Sequence, residues 1–138
     1  MIWKTLMIGR WRADFLFAID EYDEDLVFSL LEEMKAPRSV MRQAELKMKY
    51  MSLDEGFEWS NPDLLRSIYV VGPTSSGKQF QNSFVHELRH LVDDIGWYLG
   101  VPLRGEPLAY MSGDTAAELA EILCQYGCEH CRREYNFD

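Results

Sequence analysis

The sequence predicts an α+β domain, and three stretches carry that expectation. Two short apolar runs, residues 2–8 and 15–19, flank Gly9-Arg10 as the strands of a hairpin would. Ser67-Ile-Tyr-Val-Val71 is β-branched, aromatic and apolar, the strongest strand in the chain. From about Lys78 to Leu99 the pattern changes to a long helix, closed by Gly100, a residue suited to the left-handed turn that ends helices.

The remaining elements are weaker. Phe15 to Ile19 can alternatively open a helix. Asp20 to Asp25 is an acidic cluster before a helical stretch whose apolar spacing runs through Leu26, Leu30, Leu31 and Met34. Pro37 interrupts it, and Ser39 reads as the N-cap of a second helix with Val40, Ala44, Leu46 and Met48 as packing contacts. Asp54 to Pro62 is polar and broken by Gly56 and Asn61-Pro62, so it reads as a loop with at most a short strand at Phe57 to Trp59. After a turn at Gly72 to Gly77 comes the long helix, then the link Val-Pro-Leu-Arg-Gly. A last helix is expected from about Glu106 to Tyr126, with Pro107 in its first turn. Residues 120–138 read as a peripheral helix end and tail.

The 138 residues suit a single domain, 1–138, and the 47% hydrophobic content suits a packed core rather than a disordered chain. A net charge of −9 disfavours nonspecific binding to nucleic acid or anionic membrane, both of which need a basic field. The first residues hold no secretory apolar run and no stretch is long enough for a membrane span, so a cytoplasmic protein is expected. Three cysteines near one end do not form a disulfide framework. Oligomeric state is not legible.

Chemistry concentrates in Phe84-Val-His-Glu-Leu-Arg-His-Leu-Val-Asp-Asp94. His86 and His90 stand four residues apart, so on a helix both imidazoles share one face. Two neutral imidazoles so placed can bind one Zn²⁺ at about 2.0–2.1 Å per bond. Glu87 lies about 100° around the helix from His86, where it can reach a metal-activated water as general base without ligating the metal. Arg89 is an unusual charge inside such a motif.

A catalytic zinc needs a third protein ligand. Glu106, sixteen residues past His90, opens the next helix and is the leading candidate. Glu106, Ala109, Tyr110 and Gly113 fall on one face. The small Ala109 and Gly113 would allow close approach, and the Tyr110 hydroxyl could donate to a developing oxyanion. Asp93 is the rival ligand, on the histidine face. Asp94 is a candidate acceptor for an imidazole N–H.

His-Glu-Leu-Arg-His on one helix and Glu-Pro-Leu-Ala-Tyr opening the next resemble the zincin metallopeptidases of the glutamate-ligand type. The likeness is strongest to the small single-domain zincin-like proteins of bacteria and their phages or mobile elements, and it runs from about Phe57 to Gly113. It implies a zincin-like fold with Ser67–Val71 flanking the cleft. It also implies zinc on His86, His90 and Glu106, with Glu87 activating water to hydrolyse a peptide or amide bond. The chain lacks room for the second lobe of larger peptidases, so a non-catalytic zincin fold that binds a protein partner is the alternative.

Two other patterns compete. Gly72-Pro-Thr-Ser-Ser-Gly-Lys78 after a strand approaches a phosphate-binding loop, but Gln79 stands where a Ser or Thr would hold Mg²⁺, and only 60 residues remain for a parallel sheet. Cys124, Cys128 and Cys131, with His130, match the spacing of a radical-SAM cluster motif, at the wrong end of too short a chain. They are also too compressed for an ordinary structural zinc site, and read as free thiols.

Overall fold

The computed structural model describes residues 1–49 and 54–122. Four strands, β1 (Ile2–Ile8), β2 (Trp11–Phe17), β3 (Gly56–Asn61) and β4 (Arg66–Val71), form one sheet in the order β1-β2-β4-β3. The helices are α1 (Glu24–Glu33), α2 (Arg38–Lys49), α3 (Gly77–Leu99) and α4 (Glu106–Glu118). The α+β class is thus as expected, in three layers with the sheet in the middle.

Alternation along β2 sets the layers. Trp11, Ala13, Phe15 and Phe17 point to one face, where they join Tyr69 and Val71 and pack against α3 and α4. Leu16 points to the other face with Ile68 and Val70, against Val27, Leu30 and Leu31 of α1 and Ala44 and Met48 of α2. β2 and β4 are central and parallel, with Arg12 opposite Arg66 and Phe17 opposite Val71. Both are covered on two sides, and they are the most deeply buried strands. β1 and β3 are antiparallel edges.

Several boundaries differ from expectation. β2 begins at Trp11 rather than Phe15, because Gly9 (φ +61°) closes a two-residue hairpin turn that pairs Ile8 with Trp11. Ser39 lies inside α2 and is not its cap; the Pro37 carbonyl instead accepts from the amides of Val40 and Met41. Leu46 is exposed rather than packed. The polar stretch around Gly56 is a full strand. α3 matches its expected span, with Ser76 capping its start through the Gln79 amide (3.1 Å) and Gly100 (φ +71°) its end. α4 runs to Glu118, residues 120–122 are again helical after a break at Leu119, and 123–126 of the expected helix lie outside the described residues. Within the stretch expected to be peripheral, Ile122 is buried in the core, as is Leu119 just before it. The cysteines and His130 lie outside the described residues. Among the described residues no helix is long and apolar enough to cross a membrane.

One polar cluster ties three strands together. Asp14, fully buried in β2, accepts from Thr5 Oγ1 (2.6 Å) and Trp3 Nε1 (3.1 Å) of β1 and from Arg66 Nη2 (3.1 Å) of β4, with Arg12 Nε at 3.2 Å. Burial alone would raise its pKa, but these donors outweigh burial and hold the carboxyl below its usual range. Arg66 continues the network to Glu33 of α1 (3.2 Å). Asp14→Ala should therefore cost about 3 kcal/mol of unfolding free energy in denaturant titrations, since it leaves the mostly buried Arg66 guanidinium with only the exposed Glu33 as partner. A loss under about 1 kcal/mol would show that the cluster adds little to stability.

Candidate functional site

α3 lies across β3 and β4, and its height is set by a buried hydrogen bond. Tyr69 on β4 donates its hydroxyl to the Phe84 carbonyl (2.7 Å), two residues before His86. Burial, with the Glu87 charge nearby, raises the pKa of this phenol and keeps it a donor. Phe80, Phe84, Leu88, Leu91 and Ile95 face the sheet, which turns His86 and His90 outward.

The imidazoles converge. His86 Nε2 and His90 Nε2 are 3.2 Å apart, with ring planes at 76°. Two nitrogens on one tetrahedral Zn²⁺ are separated by about 3.3 Å, as follows from bonds of about 2.05 Å, so the pair has the bite of a metal chelate. Glu87 Oε1 is 4.0 Å from His86 Nε2. The two residues differ sharply in exposure: the His86 side chain is 65% accessible and that of Glu87 9%. Burial raises the Glu87 pKa against the opposing charges of His86, His90 and Lys47, which favours a carboxylate that takes up a proton readily.

Glu87 is seated against β3. A Cβ on Gly56 would fall 2.6 Å from the Val70 carbonyl oxygen and 3.2 Å from Glu87 Cγ, so only glycine lets this edge strand pass so close. Next along β3 stands Glu58, a residue that no motif singles out. Its carboxyl is hydrogen-bonded to Asp94 and accepts from Ser60 Oγ. Ser60 Oγ in turn lies 2.6 Å from Ser67 Oγ, and Ser67 Oγ accepts from Trp11 Nε1 (2.7 Å). An indole can only donate, so the chain runs from Trp11 through the two serines to Glu58 and on to Asp94. The one signal in the sequence is alternation: Phe57 and Trp59 pack toward α1 and α2, leaving Glu58 and Ser60 for the α3 side.

The other expected participants are placed elsewhere. Asp93 is engaged by Arg89 (2.9 Å), which also donates to the Leu103 carbonyl (3.1 Å). The charge inside the motif thus anchors the link that follows α3. Asp94 meets Glu58. Glu106 is exposed at the first turn of α4, and among the described residues no three His, Cys, Asp or Glu side chains gather where they could hold one metal. α4 presents Leu108, Thr115 and the following Leu119 inward, because these are its buried positions; Ala109, Tyr110 and Gly113 are exposed. The close helix approach uses a glycine of α3 instead: a Cβ on Gly96 would lie 2.8 Å from Leu108 Cδ1. Tyr110 lines a groove against β1.

The loop resembling a phosphate cradle already holds a carboxylate. Asp54 accepts from the Ser75 amide (2.8 Å) and hydroxyl (2.7 Å), and an anion there would meet that charge. No family model matches this chain, and neither a curated protein nor a solved structure matches it.

Burial, together with Asp94 beside it, pushes the Glu58 pKa up to about 9 from an ordinary 4.5. The folded state therefore holds a proton that the unfolded chain loses. The stability linked to this proton is complete below the unfolded pKa of 4.5 and is lost as pH rises through about 9. Glu58→Gln carries no such proton. Its melting temperature relative to wild type should rise steadily between pH 5 and pH 9, a difference measurable by calorimetry at matched ionic strength. Parallel curves for the two proteins would mean that Glu58 ionises normally.

Proposed function

We propose that the chain is a small zincin-like metallopeptidase, or closely related amide hydrolase, whose metal is bound by His86 and His90 and whose general base is Glu87. The observation that carries this reading is the 3.2 Å approach of the two Nε2 atoms beside a carboxylate that is itself almost wholly buried. The same distance also fits a hydrogen bond from one imidazole to the other, so metal content is the measurement that separates the two.

A bound divalent metal would supply a Lewis acid that polarises a carbonyl and makes a water acidic near neutral pH. Glu87 then has the role its environment suits. Its raised proton affinity lets Oε1 take the proton from the attacking water and return it to the leaving amine. Tyr69 fixes the height of the helix that carries it, and Gly56 leaves room for its side chain beside β3. β3 also supports an extended substrate. It is an edge strand, its outer hydrogen-bonding groups are unpaired by the sheet, and its first residue lies against Glu87. A peptide added there would pass the histidine face of α3.

Elemental mass spectrometry and a peptide-library cleavage assay test this together. Wild type should carry about one zinc per chain and cleave, and His86→Ala should lose both. Glu87→Gln should keep the metal while turnover falls at least ~10²-fold. Equal cleavage by wild type and Glu87→Gln would remove Glu87 from the mechanism. Glu106→Ala reports the third ligand: metal loss assigns it to α4, and full occupancy takes it away from α4.

A further inference from the structure

The edge opposite the histidines has its own architecture. Residues of α4 and β1 line one groove, and the Lys4 amine of β1 donates to the Glu118 carbonyl of α4 (2.7 Å). Between strand and helix lies an open groove of about 670 Å³. Its floor includes Thr5 to Ile8 of an edge strand that pairs with β2 on one side only. Its helix wall presents Tyr110, Asp114 and Glu118, each four residues after the last and so on one face, all three exposed.

We infer that this groove binds an extended, basic segment of a partner protein, which adds to β1 as a fifth strand. Three observations fix the partner's chemistry. Among the described residues β1 pairs with β2 alone, and its outer edge provides a ladder of donors and acceptors, which recognises an extended main chain whatever its sequence. The helix wall is close enough to read side chains that project from such a strand, with Tyr110 and the half-buried Met111 offering apolar contact. Asp114 and Glu118 are the charged residues of the groove lining among the described residues; Lys4 offsets the charge at the Glu118 end, so the field is most negative at Asp114 and selects Lys or Arg facing it. The Lys4 contact with Glu118 closes one end, so a bound strand stops or turns there. The site shares no residue with His86, Glu87 or His90 and does not depend on the hydrolase reading.

The test uses the full chain and a displayed library of random nonapeptides. Selected peptides should be enriched in Lys or Arg. A synthetic copy of the best one, in slight excess, should slow amide exchange along β1 and leave β3 unchanged. Asp114→Lys with Glu118→Lys, both at exposed positions, should weaken its binding about tenfold in fluorescence anisotropy. Glu121→Lys with Glu24→Lys, both exposed and outside the groove lining, makes the same change in net charge and should bind as wild type does. Four results would each overturn the inference: no enrichment above background, protection of β3 rather than β1, unchanged affinity in the Asp114 and Glu118 double variant, or equal loss in the Glu121 and Glu24 control. Slow exchange of the outer β1 amides without peptide would also overturn it. It would assign the groove to the chain itself, and sedimentation would separate a monomer from a pair.

Discussion

The parallel pairing of β2 with β4 is the constraint from which the rest of the molecule follows. Parallel neighbours cannot be joined by a tight turn, so the chain must leave the sheet and return. Here it returns by way of α1, α2 and β3, and that excursion covers one face completely. The second helix pair is left to cover the other. α3 must then start directly from the end of β4, and Tyr69, one strand residue among the apolar ones, fixes its height by reaching the Phe84 carbonyl. The outward direction of the histidines is a consequence of this packing and needs no separate device.

The polar groups inside the molecule follow the same division. On the α1–α2 side, Asp14 collects donors from three strands where β1 lacks helical cover. On the α3 side, Trp11, Ser67, Ser60, Glu58 and Asp94 form one directed chain. Each network crosses the β2–β4 seam, through Arg66 in one case and through Ser67 in the other. The seam therefore holds register twice, from opposite faces, by groups whose burial without partners would be costly.

Much of this was legible in the residues. The strand at 67–71 and the helix to Leu99 with its glycine end rest on local chemistry, and local chemistry decides them. The His86–Glu87–His90 cluster was legible too, because helical spacing alone fixes which side chains are neighbours. β3 was harder. Gly56, Glu58, Ser60 and Asn61 carry no strand preference, and the strand exists because β4 offers it a partner. The face of α4 was misjudged for a similar reason: its small residues suggest close approach, but Leu108 has the apolar area and takes the inward position, with Gly96 yielding on the other helix. Glu58 was illegible because its neighbours in space, Asp94 and Glu87, come from a distant part of the chain.

The long excursion between β2 and β4 also has a temporal side. The β1–β2 hairpin closes through a two-residue turn and needs only its first residues to form. Arg12, however, finds Arg66 only after both helices and β3 have been made, and such non-local pairing is slow. In that interval β2, which the finished sheet buries almost completely, has an open edge as well as two uncovered faces. The nascent chain thus passes through a stage in which a strand destined for the core is an adhesive surface, and α1 and α2, arriving next in sequence, are the first elements able to cover it.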